Sequence, residues 1–130
     1  MQTTIVDLTG VRGDTLIRTF PLEVDGQPMS ADDALELATR FTQRAVQVRK
    51  SAKDPAVLAE GYVDILTAPP AIAIELPGAD MQDVTRAVYD VQLTEPRLGN
   101  PRGPLVWTVI AGKLDLRADV TTEAVTPDAP

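Results

Sequence analysis

The segment Ala87-Val88-Tyr89-Asp90-Val91-Gln92-Leu93-Thr94 decides the fold of this chain, because apolar and polar residues alternate along it. Alternation with Val, Tyr and Thr is typical of a β-strand that buries one face and exposes the other. Similar stretches occur on both sides of it in the sequence. The pattern therefore predicts a small β-sheet domain that holds a partner or is held by one, and it gives no sign of a reactive centre.

Further alternating stretches predict strands at 3–8, 14–24, 45–49, 62–66, 71–76, 105–110 and 113–120. Pro21 lacks a backbone donor and predicts a sheet edge or a bulge. Asp25-Gly26 is a strong turn signal, and Ala111-Gly112 predicts a bulge or a tight turn. Seven or eight short strands with turns between them favour an antiparallel sandwich or barrel.

Residues 30–44 have a different pattern, which predicts a short helical insertion. Ser30 is a candidate N-cap with Asp33 three residues later, and apolar residues follow at helical spacing up to Phe41. The alternative is an extended loop whose Leu35 and Leu37 face the core. A second irregular segment, 95–104, is rich in proline and glycine, and we expect a long exposed loop there.

The composition limits the kinds of chemistry that this chain supports. At 130 residues we expect one domain, over residues 1–121, followed by a flexible C-terminal tail at 122–130. The sequence contains no Cys and no His. Disulfides, thiolate metal sites and Ser-His-Asp or Cys-His catalysis are therefore excluded for this chain alone. We predict a non-enzymatic protein with no catalytic residue, no cofactor and no metal.

The charge pattern also limits the partners. A net charge of -7 disfavours nucleic acid, which needs clustered Lys and Arg. The sequence has no apolar run long enough for a membrane span, and its start does not resemble a signal peptide. We therefore expect neither nucleic acid nor membrane as a partner, and the absence of Cys fits synthesis in a reducing cytoplasm.

Acidic residues are the only numerous candidates for a reactive or cation-binding site. Asp32, Asp33 and Glu36 could share one helical face, but a solvated helix start explains them better. Asp80 and Asp83 fit a polar turn. Asp90 lies mid-strand, where it is solvated on an outward face or in need of partners on an inward one.

The order of several short motifs resembles a group of small structural proteins of tailed phages and prophages. In chain order these motifs are Gly13-Asp14-Thr15, Asp25-Gly26-Gln27-Pro28, Val46-Gln47-Val48-Arg49, Tyr89-Asp90-Val91-Gln92-Leu93-Thr94, Thr108-Val109-Ile110-Ala111-Gly112-Lys113-Leu114 and Asp119-Val120-Thr121. The arrangement is similar to the N-terminal domain of the phage baseplate upper protein. This resemblance covers roughly residues 10–121, and it implies an antiparallel immunoglobulin-like β-sandwich.

The resemblance implies a virion component of the tail, baseplate, neck or capsid, present in multiple copies of a symmetric assembly as an adaptor or decoration subunit. Its partners would be other phage virion proteins, and it would be made in the cytoplasm of the host bacterium. Segments 30–44 and 95–104 are longer than the related pattern, so they are the expected partner-specific surface. The candidate interaction residues are Leu35, Leu37, Phe41, Pro96, Arg97, Leu98, Asn100 and Arg102.

Two other functions remain open on the sequence. The first is a carbohydrate- or host-surface-binding module that uses the 95–104 loop with Trp107 nearby, although Trp107 and Tyr89 also suit the core. The second is a small hydrolase, which would need two facing carboxylates and a raised pKa in a pocket.

Overall fold

The computed structural model of the chain describes residues 2–118. It contains ten strands, one α-helix and one 3₁₀ turn, Gly78–Met81. The strands and the helix are β1 (Thr4–Ile5), β2 (Leu8–Val11), β3 (Leu16–Pro21), β4 (Glu23–Val24), β5 (Gln27–Pro28), α1 (Ala31–Arg40), β6 (Gln43–Arg49), β7 (Ala59–Thr67), β8 (Pro70–Leu76), β9 (Arg86–Glu95) and β10 (Leu105–Arg117). The predicted end of the last strand and the predicted tail at 122–130 lie outside the described residues.

The deciding segment forms β9, in the middle of the main sheet. The strand order is β1-β10-β9-β6-β7-β8-β3, and β2 pairs with β10 beyond β1. Val91 faces Val46 of β6 on one side and Ile110 of β10 on the other. The predicted strand at 86–94 is confirmed, and the all-β fold class is confirmed with it.

The sheet is mixed, not antiparallel throughout. β1 and β2 both run parallel to β10, with Thr4 opposite Ile110 and Leu8 opposite Leu114. The remaining pairs in this sheet are antiparallel. The expectation of a wholly antiparallel arrangement is therefore wrong at this edge. Alternation determines which face of a strand is buried, but it does not determine the direction of the neighbouring strand.

Strand β7 folds the sheet over by changing partners halfway along. Its first residues, up to Gly61, pair with β6, and its residues from Tyr62 onward pair with β8. Gly61 is required at the corner, because a Cβ there would collide with the main-chain carbonyl of Glu75. Strands that switch partners at a bend are a usual way to form the corner between two packed layers.

The core lies between the two halves of this curled sheet. Its members are the apolar residues on the inner face of each strand, the majority of them aliphatic, as the composition predicts. Its largest fully buried side chains are Phe41, Ile72, Ile74, Leu76, Met81, Tyr89, Leu93 and Leu114. Among the described residues no polar or charged residue other than Tyr89 lies in this buried class.

Helix α1 begins where the sequence predicts and ends earlier. The Ser30 hydroxyl accepts a hydrogen bond from the Asp33 amide at 3.1 Å, which confirms the N-cap. The helix ends at Arg40, and β6 begins at Gln43, so the predicted helical end at residue 44 is too late. The extended-loop alternative is wrong. The helix packs against β7 and β8.

Two of the predicted strands have different boundaries in the structure, because Gly112 lets the main chain of Val6 approach β10 closely. β10 runs unbroken through Gly112, and its bulge falls at Val109 instead of at Ala111-Gly112. A Cβ at Gly112 would collide with the carbonyl of Val6, where the chain kinks between β1 and β2. The hydroxyl of Tyr89 donates to that same carbonyl at 2.5 Å. One predicted strand at 3–8 is therefore two short strands.

Replacing Gly61 by alanine tests the corner. Overpacking of this kind costs about 1–3 kcal/mol, and we expect Gly61→Ala to lower the free energy of unfolding by about that amount. Gly10→Ala is the matched control, since its Cβ would meet only the side chains of Leu16 and Leu116, at 3.1 and 3.2 Å. Urea denaturation measures both, and a Gly61→Ala variant as stable as Gly10→Ala would contradict the account of the corner.

Candidate functional site

The two edges of the curled sheet face each other across a seam. β2 lies at one edge and β3 at the other, although a short turn at 12–15 joins them. Arg18 closes one end of this seam. Its guanidinium donates to the Thr9 carbonyl of β2 and to the Ile17 carbonyl of its own strand, each at 2.8 Å. The Arg18 side chain thus supplies a hydrogen bond between two edge strands, whereas main-chain groups supply such bonds elsewhere in the sheet.

The other end of the seam opens into a groove of about 570 Å³, called the seam groove here. Its lining is mainly apolar and comes from β1 on one edge, from β3 and β4 on the other, and from β8 and β10 beside them. Phe20, Leu22 and Ile72 contribute from the β3 side, and Trp107 and Ile110 contribute from β10. This volume lies within the range of cavities that bind ligands.

A small hairpin forms one wall of the seam groove. β4 and β5 are joined by Asp25-Gly26, whose φ angles of +52° and +80° match the turn that such hairpins favour. This confirms the predicted turn. Glu23 and Asp25, both exposed, are the only charged residues among the groove's described lining. The wall is therefore acidic.

Trp107 connects the seam groove with the predicted helical insertion. Its indole Nε1 donates to the Gln2 carbonyl at 3.0 Å. Its ring lies 6.1 Å from the ring of Phe41, at an angle of 59°. Phe41 is only 2% exposed, so its predicted place on an interaction surface is wrong. It follows the last turn of α1 and fills the core beneath Trp107.

The structure brings the two long insertions together. Arg40, at the end of α1, forms an ion pair of 3.1 Å with Glu95, where the β9–β10 loop begins. Hydrogen bonding to Glu95 and its charge raise the pKa of Arg40. On the helix, Leu35 is exposed and Leu37 is half-buried against the core. Only Leu35 of the three predicted helical residues is therefore freely available to a partner.

The β9–β10 loop is ordered by its own hydrogen bonds. Arg97, with φ at +36°, donates from Nε to the Gly103 carbonyl at 3.0 Å. The side-chain oxygen of Asn100 accepts from the amide of Arg102 at 2.8 Å. Leu98 is 94% exposed, Asn100 and Arg102 are exposed, and Pro96 and Arg97 are half-buried. The loop thus presents a large apolar side chain to solvent.

A row of polar side chains crosses the outer face of β7, β6 and β9. Gln47 donates to Glu60 at 2.8 Å and accepts from Arg49 at 2.6 Å. Arg49 also lies 3.5 Å from Asp90 Oδ2. Asp90 Oδ1 is buried, and no hydrogen-bond partner for it occurs among the described residues. Asp90 therefore faces outward and is still partly desolvated.

The acidic residues considered from the sequence do not form a cation site in this part of the chain. Asp32 and Asp33 are exposed in the first turn of α1, and Asp80 and Asp83 are exposed around the 3₁₀ turn. Within residues 2–118, no group of three or more Asp, Glu, His or Cys side chains is placed to hold a metal ion. No helix of that region is long and apolar enough to cross a bilayer.

Two polar groups of β9 have shifted pKa values. Burial, together with the charge of Asp7, raises the pKa of Tyr89 to about 12, so its hydroxyl stays a donor to Val6 at neutral pH. Burial raises the pKa of Asp90, and the charge of Arg49 partly offsets this effect. The folded state therefore disfavours the ionised form of Asp90, because the loss of hydration on burial outweighs the attraction of the Arg49 charge.

The raised pKa of Asp90 predicts a specific pH dependence of the stability of the fold. A raised pKa means that the folded chain holds this proton more tightly than the unfolded chain. Its contribution to stability is therefore most favourable below 3.8, the ordinary pKa, and is lost as the pH rises through the raised value. Asp90→Asn removes this dependence, so we expect the variant to gain stability relative to the wild type as the pH rises from 3 to 7.

Urea denaturation across that pH range, for the wild type and Asp90→Asn, checks the prediction. Asp64→Asn, an exposed carboxylate on β7, controls for the loss of one negative charge. A stability of Asp90→Asn relative to the wild type that stays constant, or that falls as the pH rises, would contradict the role given to burial.

The seam groove was not predicted from the sequence, since its lining comes from segments far apart along the chain. Pro21 was the one available signal, because it predicted an edge or a bulge at β3, and β3 is an edge strand. A scan against protein-family models found no match for this chain, and a search of curated protein sequences found none either.

Proposed function

We propose that this protein is a non-enzymatic structural component of a tailed-phage virion that binds other virion proteins. The observation that carries the proposal is the open seam, where two strand edges border an apolar groove. Strand edges carry unpaired backbone groups that pair with a neighbouring chain. The order of motifs from Gly13-Asp14-Thr15 to Thr108-Val109-Ile110-Ala111-Gly112-Lys113-Leu114 is the reason for choosing a phage virion.

The resemblance also implies an immunoglobulin-like sandwich, and the strand order supports that finer proposal. One layer would contain β2, β10, β9 and β6, and the other would contain β8 and β3, with β7 shared between them. In this interpretation the parallel N-terminal strands complete the first layer. The corner at Gly61 separates the two layers.

The proposed position is an adaptor or decoration subunit of the tail, baseplate, neck or capsid, present in several copies. The chain would be made in the host cytoplasm and would be incorporated during assembly. The exposed surface offers contacts for this role at Leu35 on the helix and at Leu98 on the loop. Neither side chain contributes to the core, so both are free for a partner.

Particle composition tests the proposal. We expect the protein in purified virions at a fixed number of copies per particle, measured by quantitative mass spectrometry against known structural proteins. Abundant host proteins provide the control for contamination, because they should fall with each purification step while this protein does not. Absence from washed particles would contradict a virion role.

The alternative is a carbohydrate- or host-surface-binding module, and the place of Trp107 in the seam groove favours it. Aromatic rings suit the apolar faces of sugars, and Trp107 lines the groove next to Gln2 and Thr4. Its Nε1 and one ring edge are already engaged by Gln2 and Phe41. A sugar would therefore meet only the remaining part of the ring.

Glycan-array binding separates the two functions. A carbohydrate module should bind a defined glycan, and Trp107→Ala should weaken that binding at least tenfold, which is about 1.4 kcal/mol. Trp107→Phe is the matched control, because it keeps an aromatic ring in the same place. No binding by the folded wild type, or equal binding by Trp107→Ala, would remove this alternative.

A further inference from the structure

The β9–β10 loop and the seam groove have complementary chemistry. Residues 96–104 contain Arg97 and Arg102 and no acidic residue. Leu98 lies between them in the sequence and is the most exposed large apolar side chain among the described residues, at 94%. The loop therefore presents one apolar side chain flanked by positive charge.

The seam groove has the opposite character. Its accessible surface is mainly apolar, with Phe20, Met29 and Trp107 half-buried above the fully buried Ile72. Its two charged lining residues, Glu23 and Asp25, are acidic and exposed on the hairpin. An apolar floor beside a negative wall suits a protruding apolar side chain with basic neighbours.

The loop does not fill the groove of its own chain, since Leu98 is almost fully exposed in the single molecule. The loop is also held in one shape by the Arg97–Gly103 and Asn100–Arg102 hydrogen bonds. A preformed loop loses less conformational entropy on binding than a flexible one. The β9–β10 loop can therefore occupy a seam groove only in a second copy of the chain.

We propose that the β9–β10 loop of one copy docks into the seam groove of another. Leu98 lies on the apolar floor between the two sheet edges, and Arg102 lies against Glu23 and Asp25. The groove, at about 570 Å³, has room for the loop tip. The inference deepens the proposed function and rests on it only for the expectation of many copies.

Two different patches meet in this contact, so a single contact links two copies head to tail. Such contacts propagate into a ring when the rotation between neighbours closes, and into a filament when it does not. Two copies that exchange loops about a two-fold axis would instead stop at a dimer. In each case one copy's loop and the other copy's groove are both required.

The test uses the full chain, without a phage partner, in sedimentation over a concentration series. We expect the wild type to self-associate. Leu98→Asp should weaken association at least about tenfold, as loss of a buried leucine implies. Glu23→Lys should weaken it at least about threefold, as reversal of an exposed charge pair implies. Val57→Asp and Glu75→Lys, at exposed sites outside the seam groove, should associate like the wild type.

Mixing the two variants sharpens the test. Leu98→Asp keeps an intact groove, and Glu23→Lys keeps an intact loop. Their equimolar mixture should therefore form 1:1 dimers that do not grow, with an affinity at least about threefold higher than that of Glu23→Lys alone. Arg102→Glu, also at an exposed site, serves as a second loop variant if Leu98→Asp folds poorly by circular dichroism, with the loss of at least about threefold expected for Glu23→Lys.

A wild type that stays monomeric up to about 1 mM, at the weak end of measured association, would overturn the inference. Unchanged association of the loop and groove variants would do the same, because it would place the contact elsewhere. Binding of the groove by another virion protein in place of a second copy would also overturn it. These results leave the particle-composition test untouched, so the two proposals fail separately.

Discussion

The close approach of Gly61 to the main chain of Glu75 is the constraint on which the rest of this structure depends. It lets β7 leave β6 and continue beside β8, so that one continuous hydrogen-bonded path curls over itself. The inner faces of the two halves then bury each other, which removes a large apolar area from water. Without this corner, β8 and β3 would have no layer to pack against.

The same curl produces the seam. It places β3 opposite β2, but the two edges do not pair along their length within the described residues. Unpaired edges invite association with other chains, and natural proteins usually block them with charges or short strands. Here Arg18 blocks one end, while the other end stays open beside the β4–β5 hairpin. The region most suited to binding is thus a direct result of how the sheet folds.

The sequence predicted local structure well because local structure depends on local pattern. The alternation in 86–94 gave β9, Ser30 and Asp33 gave the start of α1, and Asp25-Gly26 gave the hairpin turn. The parallel pairing of β1 and β2 with β10 was not predictable, since alternation is the same for either direction. Phe41 was assigned to the surface because segment 30–44 is longer than the related pattern, but it follows the last turn of α1 and is buried in the core. The seam groove depends on contacts between distant segments, which no single stretch of sequence reveals.

The kink at Val6 divides the N-terminal edge into two segments that are held separately. β1 has its own contacts with β10, including the Thr3 hydroxyl bond to the Thr108 carbonyl at 2.6 Å. The kink itself is fixed by Tyr89 and by the Ala111 carbonyl, which accepts from the Val6 amide at 2.9 Å. We therefore expect fraying of the chain end at Thr4–Ile5 to stop at the kink without opening β2. In hydrogen-exchange terms, we expect the amides on the two sides of Val6 to belong to separate opening units.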